Sequence, residues 1–441
     1  MPTTLARLAD AVAAAEADLP FVHVGGRVSE VAPGHYRING ISSIAKLGDR
    51  VRLDDGGRST ICEVVRVGAA DAIAKPFVAQ FAVGTGMVAR LIGTMHLNPA
   101  PDWKGRVVNA LGEPIDDRGR LSRGTRPVPI DRSPPAAMTR ARVRQPLRTG
   151  VRVVDLFTPL CQGQRIGIFA GSGVGKSTIL SMIAQAAAFD TVVLALVGER
   201  GREVREFLEG PLAANRARSV AVVSTGDESP MMRRLALPAA MAIAEYFRDR
   251  GESVLLIADS VTRYAHAARD VAMAAGEPAV ARGYTPSVFS DLPRILERAG
   301  PGTEGTGSIT GVFAVLVDGD DHNDPVADAI RGTLDGHIVL DRAIADQGRY
   351  PAVNVLASIS RLAQLCWTTE QRTLVSTLKT MIARFEDTRD LRLMGGYHAG
   401  NDIELDRAVA MVPRIYDALR QDPSAKPSID VFAELAQVLR P

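Results

Sequence analysis

Hydrophobic and polar positions fall into four textures along the chain. In the Ala-rich start, Leu5, Leu8, Val12 and Leu19 recur at roughly helical spacing until Pro20 stops the pattern. This predicts a short helix, either packed on its own domain or presented to a partner that supplies the stability it lacks alone. From Phe21 to Arg90 the apolar runs are short and β-like: Val22–Val24, His35–Ile38, Arg50–Leu53 and Thr60–Val65. Gly25-Gly26, Pro33-Gly34, Asn39-Gly40 and Asp55-Gly56-Gly57 supply turns between them. Closely spaced short strands predict a small β-barrel. From Leu91 to Ser360 strand-like and helix-like stretches alternate. Thr191–Val197, Ser219–Thr225, Ser253–Ala258, Gly311–Val317 and Val353–Ala357 read as strands, and Met231–Arg250 as a helix. Such alternation predicts a mostly parallel sheet covered by helices. From Arg361 to Pro441 the pattern is helical, punctuated by Gly395-Gly396 and Pro423. The expected fold is α/β, divided into residues 1–20, 21–90, 91–360 and 361–441.

Composition narrows the function. The chain has 441 residues, 46% hydrophobic and 23% charged, which suits a globular protein of two or three domains. A net charge of +2 is too small to argue for nucleic acid or an anionic membrane, and 5% aromatics give no evident platform for stacked bases. The three cysteines, Cys62, Cys161 and Cys366, are far apart and show no CxxC spacing. That fits a reducing compartment and argues against zinc. With no secretory leader and no apolar run near membrane-spanning length, the chain is expected to be cytoplasmic.

The chemistry concentrates at Ala170-Gly171-Ser172-Gly173-Val174-Gly175-Lys176-Ser177-Thr178. The run is a phosphate-binding loop, with Ala170 where the motif usually opens with glycine. Its glycines let backbone N–H groups turn inward around phosphate oxygens. Lys176 supplies a point charge, and the Ser177 hydroxyl can ligate Mg²⁺. The apolar run Arg165–Ala170 before it and the helical pattern from Ser177 to Ala188 after it give the required strand–loop–helix context. Val254–Asp259 is an apolar strand ending in a carboxylate, which places Asp259 to hold Mg²⁺. Leu196–Glu199 ends the same way. Glu199 is a candidate for activating water, or a member of a surface ion-pair run with Arg200, Arg202 and Glu203. Because its strand follows the loop helix directly, it is expected beside the strand of the phosphate loop. An arginine finger, worth roughly 10³–10⁵ in rate, cannot be picked from composition in a chain this rich in arginine.

Pro351-Ala-Val-Asn-Val-Leu-Ala-Ser-Ile-Ser360 closely resembles the signature segment of the rotary-type hexameric ATPases related to the F1 subunits. Within that group the chain is similar to the type III export ATPases, and among them the flagellar protein-export branch. Gly163–Ser177, Gly283–Ser287, Asp318–Pro325 and Asp335–Leu340 carry the likeness, which covers nearly everything after Phe21. The resemblance implies Mg-ATP hydrolysis. Lys176 and Ser177 fall on the phosphate and magnesium pair, Glu199 on the catalytic carboxylate and Asp259 on the Mg²⁺ carboxylate. Arg200 and Arg263 fall on residues facing the phosphates. Tyr350 falls where an aromatic stacks on adenine, the other reading being a core tyrosine. Arg361 falls on the finger given to a neighbouring subunit.

One chain thus carries both Glu199 and Arg361, which implies a homohexamer. The resemblance further implies a stator-like regulatory dimer at the N-terminal helix and a coiled-coil central stalk protein. An export gate in the inner membrane, chaperones and export substrates complete the expected partners, with the ring peripherally associated with that membrane. The segment Phe385–Tyr397 tilts the likeness toward the flagellar branch and away from a virulence type III secretion ATPase. A rotary ATP synthase subunit and an RNA-translocating termination helicase are the remoter alternatives.

Overall fold

A computed structural model describes residues 4, 24–54, 58–78, 82–210, 212–317 and 324–439. The N-terminal helical pattern and most of Asp318–Pro325 lie outside the described residues. The chain divides into two compact units, Met1–Met95 and His96–Pro441.

The first unit is a closed barrel of strands β1 (Gly25–Ala32), β2 (His35–Asn39), β3 (Arg50–Asp54), β4 (Ser59–Val67), β5 (Asp71–Pro76) and β6 (Val88–Gly93), in the order β1-β2-β5-β4-β3-β6. Successive side chains of a strand point to opposite faces. Tyr36 and Ile38, Val51 and Leu53, and Cys62 and Val64 therefore turn inward together and fill the core. The first predicted strand is displaced: Val24 precedes β1, which begins at Gly25, and residues 22 and 23 lie outside the described set.

The second unit is built on one sheet. Its strands run, edge to edge, Ile359–Ser360, Gly336–Val339, Arg165–Ala170, Ser308–Leu316, Ser253–Asp259, Thr191–Glu199, Ser219–Thr225 and Val107–Asn109. All are parallel except the edge pair formed with Ile359–Ser360 and a short side strand, Gly300–Pro301. Helix Pro230–Arg248 begins at Ser229, whose side chain accepts the Met232 N–H at 3.2 Å, and it packs on the Thr191, Ser219 and Ser253 strands. Helices Thr369–Asp387, Ile403–Leu419 and Val431–Leu439 share a continuous apolar core with the sheet through Val375, Leu378, Val412 and Leu435. Among the described residues no helix is long and apolar enough to cross a membrane.

Two strand expectations fail. Thr191–Glu199 does not adjoin the strand of the phosphate loop, because Ser308–Leu316 and Ser253–Asp259 lie between them. All seven residues of Ser253–Asp259 are buried, and so continuous an apolar run takes the interior place in a sheet covered on both faces. Val353–Ala357 is not a strand. Val353 makes one bridge to Leu340, and the Asn354 side chain then accepts the N–H groups of Leu356 and Ala357, turning the chain. The strand in that region is Gly336–Val339, second from the edge between Ile359–Ser360 and Arg165–Ala170, which sequence patterning did not single out.

Candidate nucleotide site

The loop after Arg165–Ala170 holds Gly173 and Gly175 at φ of +77° and +93°, a left-handed geometry that a side chain would strain. Gly175 is the N-cap of helix Lys176–Ala184 and offers no side chain to the first helical N–H groups. Those donors, with the positive end of the helix dipole, remain for an anion. Arg342 braces the loop by donating to the Ser172 carbonyl at 3.0 Å. Its position after the Asp335–Leu340 segment was the only signal for it in the sequence.

Charged groups converge at this end of the sheet. The Lys176 ammonium donates to Asp259 Oδ1 and lies 3.6 Å from Glu199 Oε1. Arg263 Nη1 lies 3.2 Å from Glu199 Oε2 and donates to the Gly198 carbonyl. The strand order explains the meeting. Asp259 and Glu199 end adjacent parallel strands, with Asp259 in register with Leu196. The Glu199 side chain is only 12% exposed and faces Lys176 and Arg263, with Glu203 of the neighbouring charged run also against it, while that run pairs internally as Arg200–Glu203 and Arg202–Glu206. Burial first, and then the negative Asp259, push the Glu199 carboxyl up to about 7 against the opposing pull of Lys176 and Arg263. Its Oε1 is buried and accepts no hydrogen bond. Such a carboxylate is poised to take a proton near neutrality.

A cleft of about 360 Å³ opens here, lined by Ser177, Thr178, Glu199, Asp259, Phe207 and Pro423. Ser177 and Asp259 offer oxygen donors, the type that Mg²⁺ takes. The Tyr350 side chain is not in the core. It is 43% exposed, and its ring stands 3.6 Å from where a Cβ on Gly175 would lie.

The structure does not bring two of the sequence candidates into this cluster. Arg200 points to solvent, its side chain 83% exposed and paired with Glu203 at 3.7 Å. Arg361 is exposed at the other end of the sheet. Its N–H donates to the Asp335 carbonyl at 2.9 Å, and the Asp335 carboxylate is clasped by Arg165, the first residue of the phosphate-loop strand. The length of that strand, about 3.3 Å per residue, separates Arg361 from the loop at the strand's far end.

Residues 150–360 match the nucleotide-binding domain of the ATP synthase alpha/beta family, and residues 367–437 match the T3SS EscN ATPase C-terminal domain. A flagellum-specific ATP synthase of Rhizobium meliloti is 56% identical over 94% of this chain and 89% of its own length. The SPI-2 type 3 secretion system ATPase of Salmonella typhimurium is 44% identical over 82% of this chain and 83% of its own. The assembled ATPase EscN from the type III secretion system of enteropathogenic E. coli superposes with a TM-score of 0.88 at 36% identity, covering 94% of this chain and 100% of that one. The same ATPase in complex with its central stalk EscO superposes at 0.86 and 35%, with the same coverage. A phosphate loop facing two strand-end carboxylates, on a fold shared over almost the entire chain, makes this protein a member of the ATP-hydrolysing family that comprises the flagellum-specific and type III secretion ATPases.

Proposed function

We propose that this chain is the ATPase of a flagellar protein-export apparatus and works as a homohexamer whose active sites lie between copies. Each site takes its phosphate loop, Glu199 and Asp259 from one copy and Arg361 from the next. The observation that carries this reading is the placement of Glu199 and Arg361 at opposite ends of one sheet. No copy can close its own Arg361 on its own phosphate loop, whereas a ring of identical copies supplies every site with both residues. EscN, assembled in its own structure, supports the ring, and its complex with a central stalk supports a stalk partner here. The flagellar assignment rests on the 56% identity to a flagellum-specific relative against 44% to a virulence-type one.

In this mechanism the loop N–H groups and Lys176 hold the β- and γ-phosphates of ATP. Ser177 and Asp259 would hold Mg²⁺, which would neutralise phosphate charge. Nucleotide phosphates draw Lys176 away from Asp259. Glu199 orients the attacking water and accepts its proton. Arg263 keeps Glu199 aimed at the cleft, Tyr350 covers the base, and Arg361 of the neighbour meets the charge that develops on the γ-phosphoryl oxygens. Arg200 joins the site only when its exposed side chain turns inward on nucleotide. Hydrolysis then serves chaperone release and delivery of export substrates to a membrane gate.

A strain lacking the chain tests the assignment. Wild-type protein restores filament-subunit export to the medium, and Glu199→Gln does not. Unchanged filament export in the deletion strain, with loss of other secreted proteins, would move the chain to the virulence branch.

A further inference from the structure

The sequence separates Cys161 and Cys366 by 205 positions, yet their sulfurs stand 3.3 Å apart in hydrogen-bond contact. Cys161 ends the short strand Leu160–Cys161, just ahead of the phosphate-loop strand, and is fully buried. Cys366 ends helix Ala363–Cys366, little more than a turn after Arg361, and is partly exposed. Cys366 also lies 3.2 Å from the Leu160 carbonyl, and both sulfurs lie 3.9 Å from that of Leu362.

One buried side chain ties this pair to the Arg361 segment. Gln164 accepts the Cys161 N–H at 2.9 Å and donates to Ser360 Oγ at 3.0 Å and to the Asp335 carbonyl at 3.4 Å. Ser360 Oγ in turn donates to the Pro159 carbonyl at 2.8 Å. Arg361 hangs from the same Asp335 carbonyl. Cys161, Gln164, Ser360 and Arg361 therefore form one connected unit.

We propose that Cys161 and Cys366 form a peroxide-sensitive dithiol site whose intrachain disulfide displaces Arg361 and switches hydrolysis off reversibly. Peroxide reaches the pair from the partly exposed Cys366 side. One thiolate attacks the peroxide and becomes a sulfenic acid, releasing hydroxide. The partner sulfur then displaces a second hydroxide and closes the bridge. The two thiol protons convert both hydroxides to water, so two thiols and one hydrogen peroxide give one disulfide and two waters. The hydrogen bond between the sulfurs lowers the Cys161 thiol and raises that of Cys366, so Cys161 is the attacking thiolate and Cys366 the partner that closes the bridge. Cys62 lies apart in the barrel core, where burial pushes its thiol up to about 12 and leaves it inert.

Closure draws the sulfurs from 3.3 Å to about 2 Å. A displacement near 1 Å of a group aimed at a reacting centre costs about 10²-fold in rate. The effect on activity rests on the shared-site reading above, whereas the disulfide does not.

The test oxidises the full-length protein with hydrogen peroxide, maps disulfides by mass spectrometry and follows ATPase activity before and after dithiothreitol. The expected result is a Cys161–Cys366 linked peptide, a fall of about 10²-fold and full recovery on reduction. Cys161→Ser and Cys366→Ser variants should keep their activity through the same treatment. Absence of the linked peptide, or its presence with unchanged activity, would overturn the proposal. Mixing separates the two readings. Oxidised chains should regain activity with Glu199→Gln chains that lack both cysteines, and not with Arg361→Ala chains that lack them. Failure of reduced Glu199→Gln and Arg361→Ala chains to complement each other would contradict the shared site alone.

Discussion

The two ends of the central sheet differ in chemistry and in what they lack. At the phosphate-loop end, Lys176, Glu199, Asp259 and Arg263 neutralise one another in a partly buried cluster. At the other end Arg361 is exposed and held through its backbone N–H. Burying opposed charges together makes their burial tolerable, because a lone buried carboxylate would be costly. On the proposed reading Arg361 serves a neighbour's nucleotide, and such a cation has no reason to be buried in its own chain. The contrast fits the shared site proposed above, in which each end would supply its half to another copy.

The strongest way to break the comparison is to remove one residue from either end. Lys176→Ala, Glu199→Gln and Arg361→Ala should each lower kcat by about 10³-fold or more, read as phosphate release from assembled protein. A mild loss in Arg361→Ala would leave the exposed end without a catalytic part. A middle-sized effect belongs to Tyr350. Tyr350→Ala should raise KM about tenfold with kcat little changed, because stacking on the base holds ground and transition states alike. Tyr350→Phe should behave as wild type. A matched fall in kcat would assign Tyr350 to the chemical step.

The smallest effect is on stability and sharpens the contrast directly. Folding raises the Glu199 carboxyl from 4.5 to about 7, so the folded state holds a proton that the unfolded chain releases. Stability therefore falls as pH rises from about 4.5 to 7 and is level above that. Without nucleotide, Glu199→Gln should be more stable than wild type by about 2 kcal/mol at pH 8, and the gain should vanish near pH 4. Arg361→Ala should show no such pH-dependent gain. Denaturant titrations at the two pH values would check both, and an Arg361→Ala gain of equal size would erase the distinction between the ends.

Much of the phosphate-loop end was legible because its signals are local. Glycines, Lys176 and Ser177 are contiguous, and an apolar run ending in Asp259 or Glu199 reads directly as a strand presenting a carboxylate. The barrel was legible from turn residues between short runs. Strand order was not, since nothing in Thr191–Glu199 encodes that two later segments will separate it from Arg165–Ala170. The strand Gly336–Val339, next to the edge, was too short to stand out, and Val353–Ala357 looked extended until the Asn354 side chain turned it. The meeting of Cys161 with Cys366 is a tertiary fact that spacing concealed.

The central claim is that every site is shared between copies, and one mixing experiment tests it most directly. Glu199→Gln and Arg361→Ala chains, each inactive alone, are co-assembled in equal amounts and assayed for Mg-ATPase. Shared sites predict partial recovery, because some interfaces then join an intact Glu199 to an intact Arg361. No recovery in mixtures shown to co-assemble, with a wild-type rate per chain independent of concentration, would mean that each copy completes its own site and would contradict the account.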